Sequence, residues 1–333
     1  MSIARRGVAW ILFLTIAGGS AAFARSALLQ WGRDPEQEAL NASVDLNSPS
    51  IVRMLRLRDA VVPLHRIKEL PEPDDWLAHH PESGQTFPAY LASQFEVPSA
   101  SRSRLYIVPI GDMTPTQQRI VQRTGDYLAA CFGTTVTFLD SVSAAEIPPS
   151  ARRLRTEDSP EEQWLATHIL YEVLQPRRPD DAVAVLGLTA TDLWPGPGWN
   201  YVFGQASLTA RVGVWSLARN GDPDLGDDSY HLCLRRTIKT ALHETGHMLG
   251  IVHCTAYECG MNGSKSRAES DRQPLEFCPE CQAKVWWACG VDAAGRCQKL
   301  GDLAEGDGLS EASDLWHSEA KRLQAVGVST SRN

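Results

Sequence analysis

Residues 243–281 read HETGHMLGIVHCTAYECGMNGSKSRAESDRQPLEFCPEC, and this stretch decides how the rest of the chain is read. It opens with His243-Glu244-Thr245-Gly246-His247. On a helix, positions four apart lie one above the other on one face. His243 and His247 can therefore share one Zn²⁺ while Glu244 reaches a water on that metal. Five-residue patterns recur by chance, but this one continues with Gly250 and His253. A glycine three residues after the second histidine lets the helix stop and the chain turn through a backbone conformation other residues avoid. The turn brings His253 round as a third ligand. Three histidines leave one position of a tetrahedral zinc open, which is the arrangement of catalytic rather than structural sites.

The pattern HExxHxxGxxH is the metzincin form of the zinc-peptidase motif, which is accompanied by a downstream Met-turn. Met261, in Cys259-Gly260-Met261, stands in that region. Cys254 follows the third histidine directly, and Cys278-Pro279-Glu280-Cys281 closes the set, with 16 residues between Met261 and Cys278. This sequence resembles the archaemetzincins, a branch of the metzincins with a second zinc on four cysteines. Asp192-Leu193, Tyr201-Val202-Phe203-Gly204 and Val212-Gly213-Val214-Trp215-Ser216 also look like family sequence, and the likeness covers roughly residues 104–300. Asp75-Trp76-Leu77 and Gln85-Thr86-Phe87 look like the segment ahead of the family's catalytic core, with no chemical role legible in them.

The resemblance implies two zinc ions per chain. One is catalytic, on His243, His247 and His253, with Glu244 as the base; the other is structural, on Cys254, Cys259, Cys278 and Cys281. Met261 supports the histidines from below and binds no metal. Adjacent residues of an extended chain point to opposite sides, so His253 can face one zinc while Cys254 faces the other. A pair of disulfides is the alternative for the cysteines, since CxxC is also a redox pattern.

Composition bounds the remainder. The chain has 333 residues, 43% hydrophobic, enough for one catalytic domain with extensions. A formal net charge of −8 gives no basic footprint for nucleic acid. Of the eight cysteines, Cys131 and Cys233 read as buried small hydrophobes, and Cys289 and Cys297 can pair if the compartment is oxidising. Arg5-Arg6 precedes 18 uncharged residues, Gly7 to Ala24, that end Ala22-Phe23-Ala24. That fits a cleaved export signal, and its length also approaches a membrane anchor. The protein is thus expected to be periplasmic or secreted, or held to a membrane by an uncleaved N-terminal segment. As a family the archaemetzincins look mostly intracellular, so this segment departs from them. Nothing in the sequence sets an oligomeric state.

Organisation follows as residues 1–24 signal or anchor, 25–102 a polar, proline-punctuated extension, 103–300 the metallopeptidase domain, and 301–333 a C-terminal helix and tail. Leu105–Ile110, Thr135–Leu139 and Ala182–Leu188 read as strands. Residues 116–132 and 161–174 read as helices, the second with Leu165, Ile169, Leu170 and Val173 near one face. Residues 232–249 give the active-site helix, and 310–326 an exposed one. Alternating strands and helices predict an α/β layer. The resemblance implies a metzincin-like twisted mixed sheet with packed helices and a small cysteine-rich, zinc-bound C-terminal subdomain. In such folds the strand ahead of the active-site helix lies at the sheet edge, where a peptide can add as a further strand, and the resemblance places it within residues 204–210. His79-His80, beside Pro81, and the cluster Asp222, Asp224, Asp227 and Asp228 read as solvated loops. The expected function is hydrolysis of peptide bonds in peptides or proteins, through a zinc-bound water activated by Glu244. A non-catalytic zinc-stabilised binding module and a zinc amidohydrolase on non-peptide amides are the alternatives.

Overall fold

A computed structural model describes residues 44–93, 95, 97–155 and 161–327. The expected export segment, residues 1–24, lies outside them. Among the described residues the first α-helices are α1 (Pro49–Val61), α2 (Trp76–His79) and α3 (Phe87–Ala92). Then follow β1 (Arg104–Ile110), α4 (Pro115–Phe132), β2 (Thr135–Phe138), β3 (Arg152–Leu154) and β4 (Glu162–Leu165). The short α5 (Ala166–His168) runs on through wider and tighter turns to Arg177, ahead of β5 (Ala182–Thr189) and β6 (Asp192–Trp194). The chain continues with β7 (Gly204–Ser207), β8 (Val212–Ser216) and α6 (Asp227–Met248). It closes with α7 (Arg267–Arg272), α8 (Pro279–Cys289), α9 (Ala293–Gly306) and α10 (Ser310–Val326).

The five-stranded sheet has the order β2-β1-β5-β8-β7. All neighbours are parallel except β7, which runs antiparallel to β8 at the edge. Parallel strands covered on both faces read as unbroken apolar runs, which is why 105–110 and 182–188 are so clear in sequence. In β1, Leu105 and Ile107 join one buried cluster with α4 and α6, while Val108 and Ile110 join the opposite one. α4 is closed at its start by a reciprocal Thr114/Gln117 capping box and ends at Gly133, the arrangement that fixes a helix start.

Two expectations are corrected. Residues 161–174 are not one helix: Gln163, Trp164 and Leu165 pair in parallel with Asp192, Leu193 and Trp194, in a separate three-stranded sheet β3-β4-β6. The apolar positions from 165 onward are compatible with a helix, and the strand pairing that competes for 162–165 comes from far along the chain. Helix α10 has the expected bounds but is not exposed. It buries Trp316, Ala320 and Leu323, the latter two in a cluster with Leu57 and Val61 of α1, Phe87 of α3 and Trp286 of α8.

Candidate metal centre and active site

Helix α6 starts with Asp227 and Asp228 in its first turn, where carboxylates favour the N-terminal dipole, and carries His243, Glu244 and His247 on its buried last turns. Gly250 then takes φ +81°, and a Cβ there would fall 2.0 Å from the Phe95 ring. Both demands exclude a side chain, and the turn they permit brings His253 back beside the helix. Beneath the helix lies Met261, fully buried. A Cβ at Gly246 would sit 2.6 Å from its Sδ, so the glycine inside HETGH is what lets this methionine underlie the histidine-bearing turns.

The three imidazoles converge, with ring centroids 4.5 Å (His243–His247), 5.0 Å (His247–His253) and 5.4 Å (His243–His253) apart. His243 Nδ1 donates to the Gly260 carbonyl at 2.8 Å, and His247 Nδ1 to the Ile251 carbonyl at 2.7 Å. Carbonyls only accept, so these bonds assign the proton of each neutral ring to Nδ1. The two Nε2 lone pairs then face one another at 2.9 Å with no proton between them, a repulsion that a shared cation relieves. Burial pushes His243 down to about 3 and His247 well below its ordinary value, which keeps both rings in the neutral form that binds metal. Glu244 is 2% exposed, its Oε2 has no hydrogen-bond partner, and burial pushes its pKa up to about 8. A neighbouring cation would draw that value down. The donor set therefore fits a zinc ion.

The four cysteines 254, 259, 278 and 281 form a second group, buried, with their sulfurs within 4.8 Å of one another. Cys254 and Cys278 are 3.6 Å apart, and none of these four cysteines is in a disulfide. The backbone N–H groups of Met261 and Cys278 both point at Cys259 Sγ, at 3.3 and 3.1 Å, and Cys281 lies in the first turn of α8. Such donors favour thiolate. Burial pushes Cys259 and Cys278 up, while hydrogen bonds from the other three thiols, Cys259 first, pull Cys254 down. A divalent cation replaces those shared protons, and tetrahedral Cys₄ is a common zinc donor set.

The model of peptidase family M54 matches residues 163–286. Archaemetzincin-2 of Mus musculus is 31% identical over 269 residues, covering 72% of this chain and 74% of its own length. Archaemetzincin-2 of Homo sapiens is 32% identical over 264 residues, with 69% and 72% covered. The chain belongs to the archaemetzincins. A solved archaemetzincin from Methanopyrus kandleri is 31% identical, covering 59% of this chain and all of that one, with a TM-score of 0.46. This archaemetzincin is accordingly a zinc metallopeptidase whose substrates are peptides or proteins.

Other residues of the archaemetzincin site were not legible beforehand. Glu82 accepts from His253 Nδ1 at 3.0 Å, and Asn262 ties the cysteine loop together. Its Oδ1 accepts from Cys259 N–H at 3.0 Å, and its Nδ2 donates to the Cys254 and Tyr257 carbonyls at 2.8 and 2.9 Å. The dipeptide Met261-Asn262 was the only signal for the second. Asp222 and Asp224 are exposed in the loop ahead of α6, as expected, whereas Asp227 and Asp228, also exposed, belong to the first turn of that helix instead of the loop. His79-His80 is less free than expected: Lys265 Nζ lies 2.9 Å from His79 Nε2, and His80 stacks on Trp76 at 4.0 Å. Strand β7 does lie at the sheet edge, but its four residues are buried.

Proposed function

We propose that His243, His247 and His253 hold the catalytic zinc, that Glu244 is the general base, and that Cys254, Cys259, Cys278 and Cys281 hold a second, structural zinc. Zinc on three neutral imidazoles keeps its full charge and supplies Lewis acidity toward water and the scissile carbonyl. The chain's own residues do the rest. The Gly260 and Ile251 carbonyls orient two of the rings by holding their Nδ1 protons. Glu244 takes the proton of the attacking water on its unpartnered oxygen and delivers it to the departing amine. Met261 fixes the depth of the turns that carry both helix histidines.

The observation that carries this reading is the 2.9 Å approach of two Nε2 atoms whose Nδ1 partners are carbonyls, next along the helix to a buried carboxylate with an unpartnered oxygen. Glu244→Gln tests it. The amide keeps the shape and cannot take the proton, so peptide hydrolysis should fall roughly 10²–10⁴-fold, ~3–5 kcal/mol of barrier. Elemental analysis should still find about two zinc equivalents, the number the two donor groups hold. Parental turnover by the zinc-loaded variant would remove Glu244 from the role.

The metallopeptidase unit is assigned to residues 103–300, preceded by the extension 25–102 and followed by the helix and tail of 301–333. Export belongs to the same proposal, supported by Arg5-Arg6, the uncharged run and Ala22-Phe23-Ala24. A cleaved mature chain should begin at Arg25, whereas an intact chain in the soluble cytosol would refute both the signal and the anchor. Among the described residues no helix is long and apolar enough to cross a membrane.

A further inference from the structure

Two of the three converging histidines are oriented by backbone carbonyls of their own neighbourhood. His253 differs. It stands on the extended segment after Gly250, where no helix holds its ring, and its Nδ1 faces both oxygens of Glu82 at 3.0 Å. Glu82 comes from the extension, ahead of the matched family region 163–286. Its Oε1 also accepts the Trp76 indole N–H at 2.9 Å. The indole in turn meets the His253 ring edge-on, with centroids 5.5 Å apart.

Trp76 is itself pinned. Its backbone N–H donates to Glu269 Oε1 at 2.9 Å, and the other Glu269 oxygen takes the Lys265 N–H at 2.7 Å. The residues around His253 are tied to the same segment. Gln85 Nε2 donates to the Gly250 carbonyl at 3.3 Å, Thr255 Oγ1 to the Ser83 carbonyl at 3.5 Å, and Tyr90 Oη to the Leu249 carbonyl at 2.8 Å. Asp75-Trp76-Leu77 and Gln85-Thr86-Phe87 thus acquire a common place in the molecule, as the strap over the third histidine.

We propose that Glu82 is a positioning residue for the catalytic zinc: it holds the proton of His253 on Nδ1 and thereby presents Nε2 to the metal. The inference rests on the reading of His253 as the third ligand. A carboxylate behind an imidazole ligand fixes its tautomer and raises its basicity more than a neutral carbonyl does. His253, the ligand not held by the helix, receives the charged partner. The extension is on this account part of the catalytic apparatus, with Glu82 acting on the metal only through His253.

The test is the zinc affinity of the full-length protein, measured without reference to turnover. The chelator-labile equivalent is titrated against a chromogenic chelator in the parent and in Glu82→Gln, Glu82→Ala and His253→Ala. Both Glu82 variants should bind that equivalent about 10–100-fold more weakly, Ala more than Gln. The cysteine-bound equivalent should keep its parental affinity. The His253 Nδ1–H signal in ¹⁵N-detected NMR should lose its low-field position, which a merely structural role would not move. If His253→Ala weakens binding while both Glu82 variants keep parental affinity, the role of Glu82 is overturned and the three-histidine site stands. If His253→Ala itself keeps parental affinity, the three-histidine reading falls and takes this inference with it. Should Glu82→Ala fail to fold, the isosteric Gln variant decides.

Discussion

Substituting Gly246 with alanine isolates what the methionine under the active-site helix contributes. At an ordinary interior helix position, Gly→Ala stabilises by about 1 kcal/mol. At Gly246 the new methyl would lie 2.6 Å from Met261 Sδ and 3.1 Å from its Cε, with the Phe277 ring 3.7 Å away. Met261 is flexible, but it is fully buried and can yield only by disturbing its neighbours. Overpacking of this kind costs ~1–3 kcal/mol, so the net effect is a loss of up to about 2 kcal/mol instead of the usual gain. The control is Met261→Ala, which by itself costs ~2–5 kcal/mol through its cavity. In that background the alanine methyl has room, and Gly246→Ala should recover its gain of about 1 kcal/mol. The coupling between the two positions is then ~1–3 kcal/mol. It is read from urea unfolding of all four proteins at one fixed free-zinc concentration, because bound metal raises apparent stability. Chelator competition on the same samples should show weaker zinc binding for Gly246→Ala alone. Two results refute the reasoning: stabilisation by Gly246→Ala in the parent, or an equal cost in both backgrounds.

Three further expectations follow from other parts of the molecule. A strong chelator should remove one zinc equivalent, together with activity, well before the second, because three histidines leave a coordination position open while four buried cysteines do not; simultaneous loss of both would contradict two separate centres. Burial raises the Asp271 pKa, but the Arg236 guanidinium, 2.9 Å away through Nε, outweighs it and holds the carboxyl below its ordinary value. A depressed folded value means that the pair stabilises above the unfolded carboxylate pKa near 4 and that this is lost as pH falls through the folded value. Asp271→Asn should therefore cost about 1 kcal/mol at pH 7 and flatten the acid limb of the stability curve; unchanged stability from pH 7 down to 3 would refute this. Glu319 is fully buried against His65 Nε2 at 2.7 Å, Gln282 and Cys297. Glu319→Ala should cost ~3–5 kcal/mol in urea unfolding, and a loss below about 1 kcal/mol would show that the network tolerates its removal.

What could be read from sequence was what is local in sequence. His243, His247, Gly250 and His253 lie within a few helical turns, so their spacing alone implied convergence, and the structure brings the rings together. The cysteine cluster needs the chain to return only from Cys278 to Cys254, 24 positions, and the family pattern supplied that. Helix α4 was legible because its stop signal, Gly133, is a neighbour of the helix itself. Glu82 and His253 are 171 positions apart, and no periodicity or cap connects them. Strand β4 reads as helix from sequence for the same reason: its partner Asp192–Trp194 lies beyond an intervening helix and strand. In the polar, weakly periodic run ahead of residue 103, residues 55–64 read as a short helix or strand without deciding between them, and the start of α1 at Pro49 was not legible because its buried face of Ile51, Met54, Leu57 and Val61 is short and interrupted by charge.

That same helix has a consequence for how the chain is made. α1 leaves the ribosome early, yet its apolar face closes against Trp286, Ala320 and Leu323. Its Arg58 pairs with Glu280, 222 positions on, and His65 just beyond it meets Glu319, 254 positions on. Vectorial synthesis therefore cannot complete this part of the core until the last helix has been translated. Contacts of such separation close slowly, and until they do a hydrophobic stripe stands open at the front of the nascent chain.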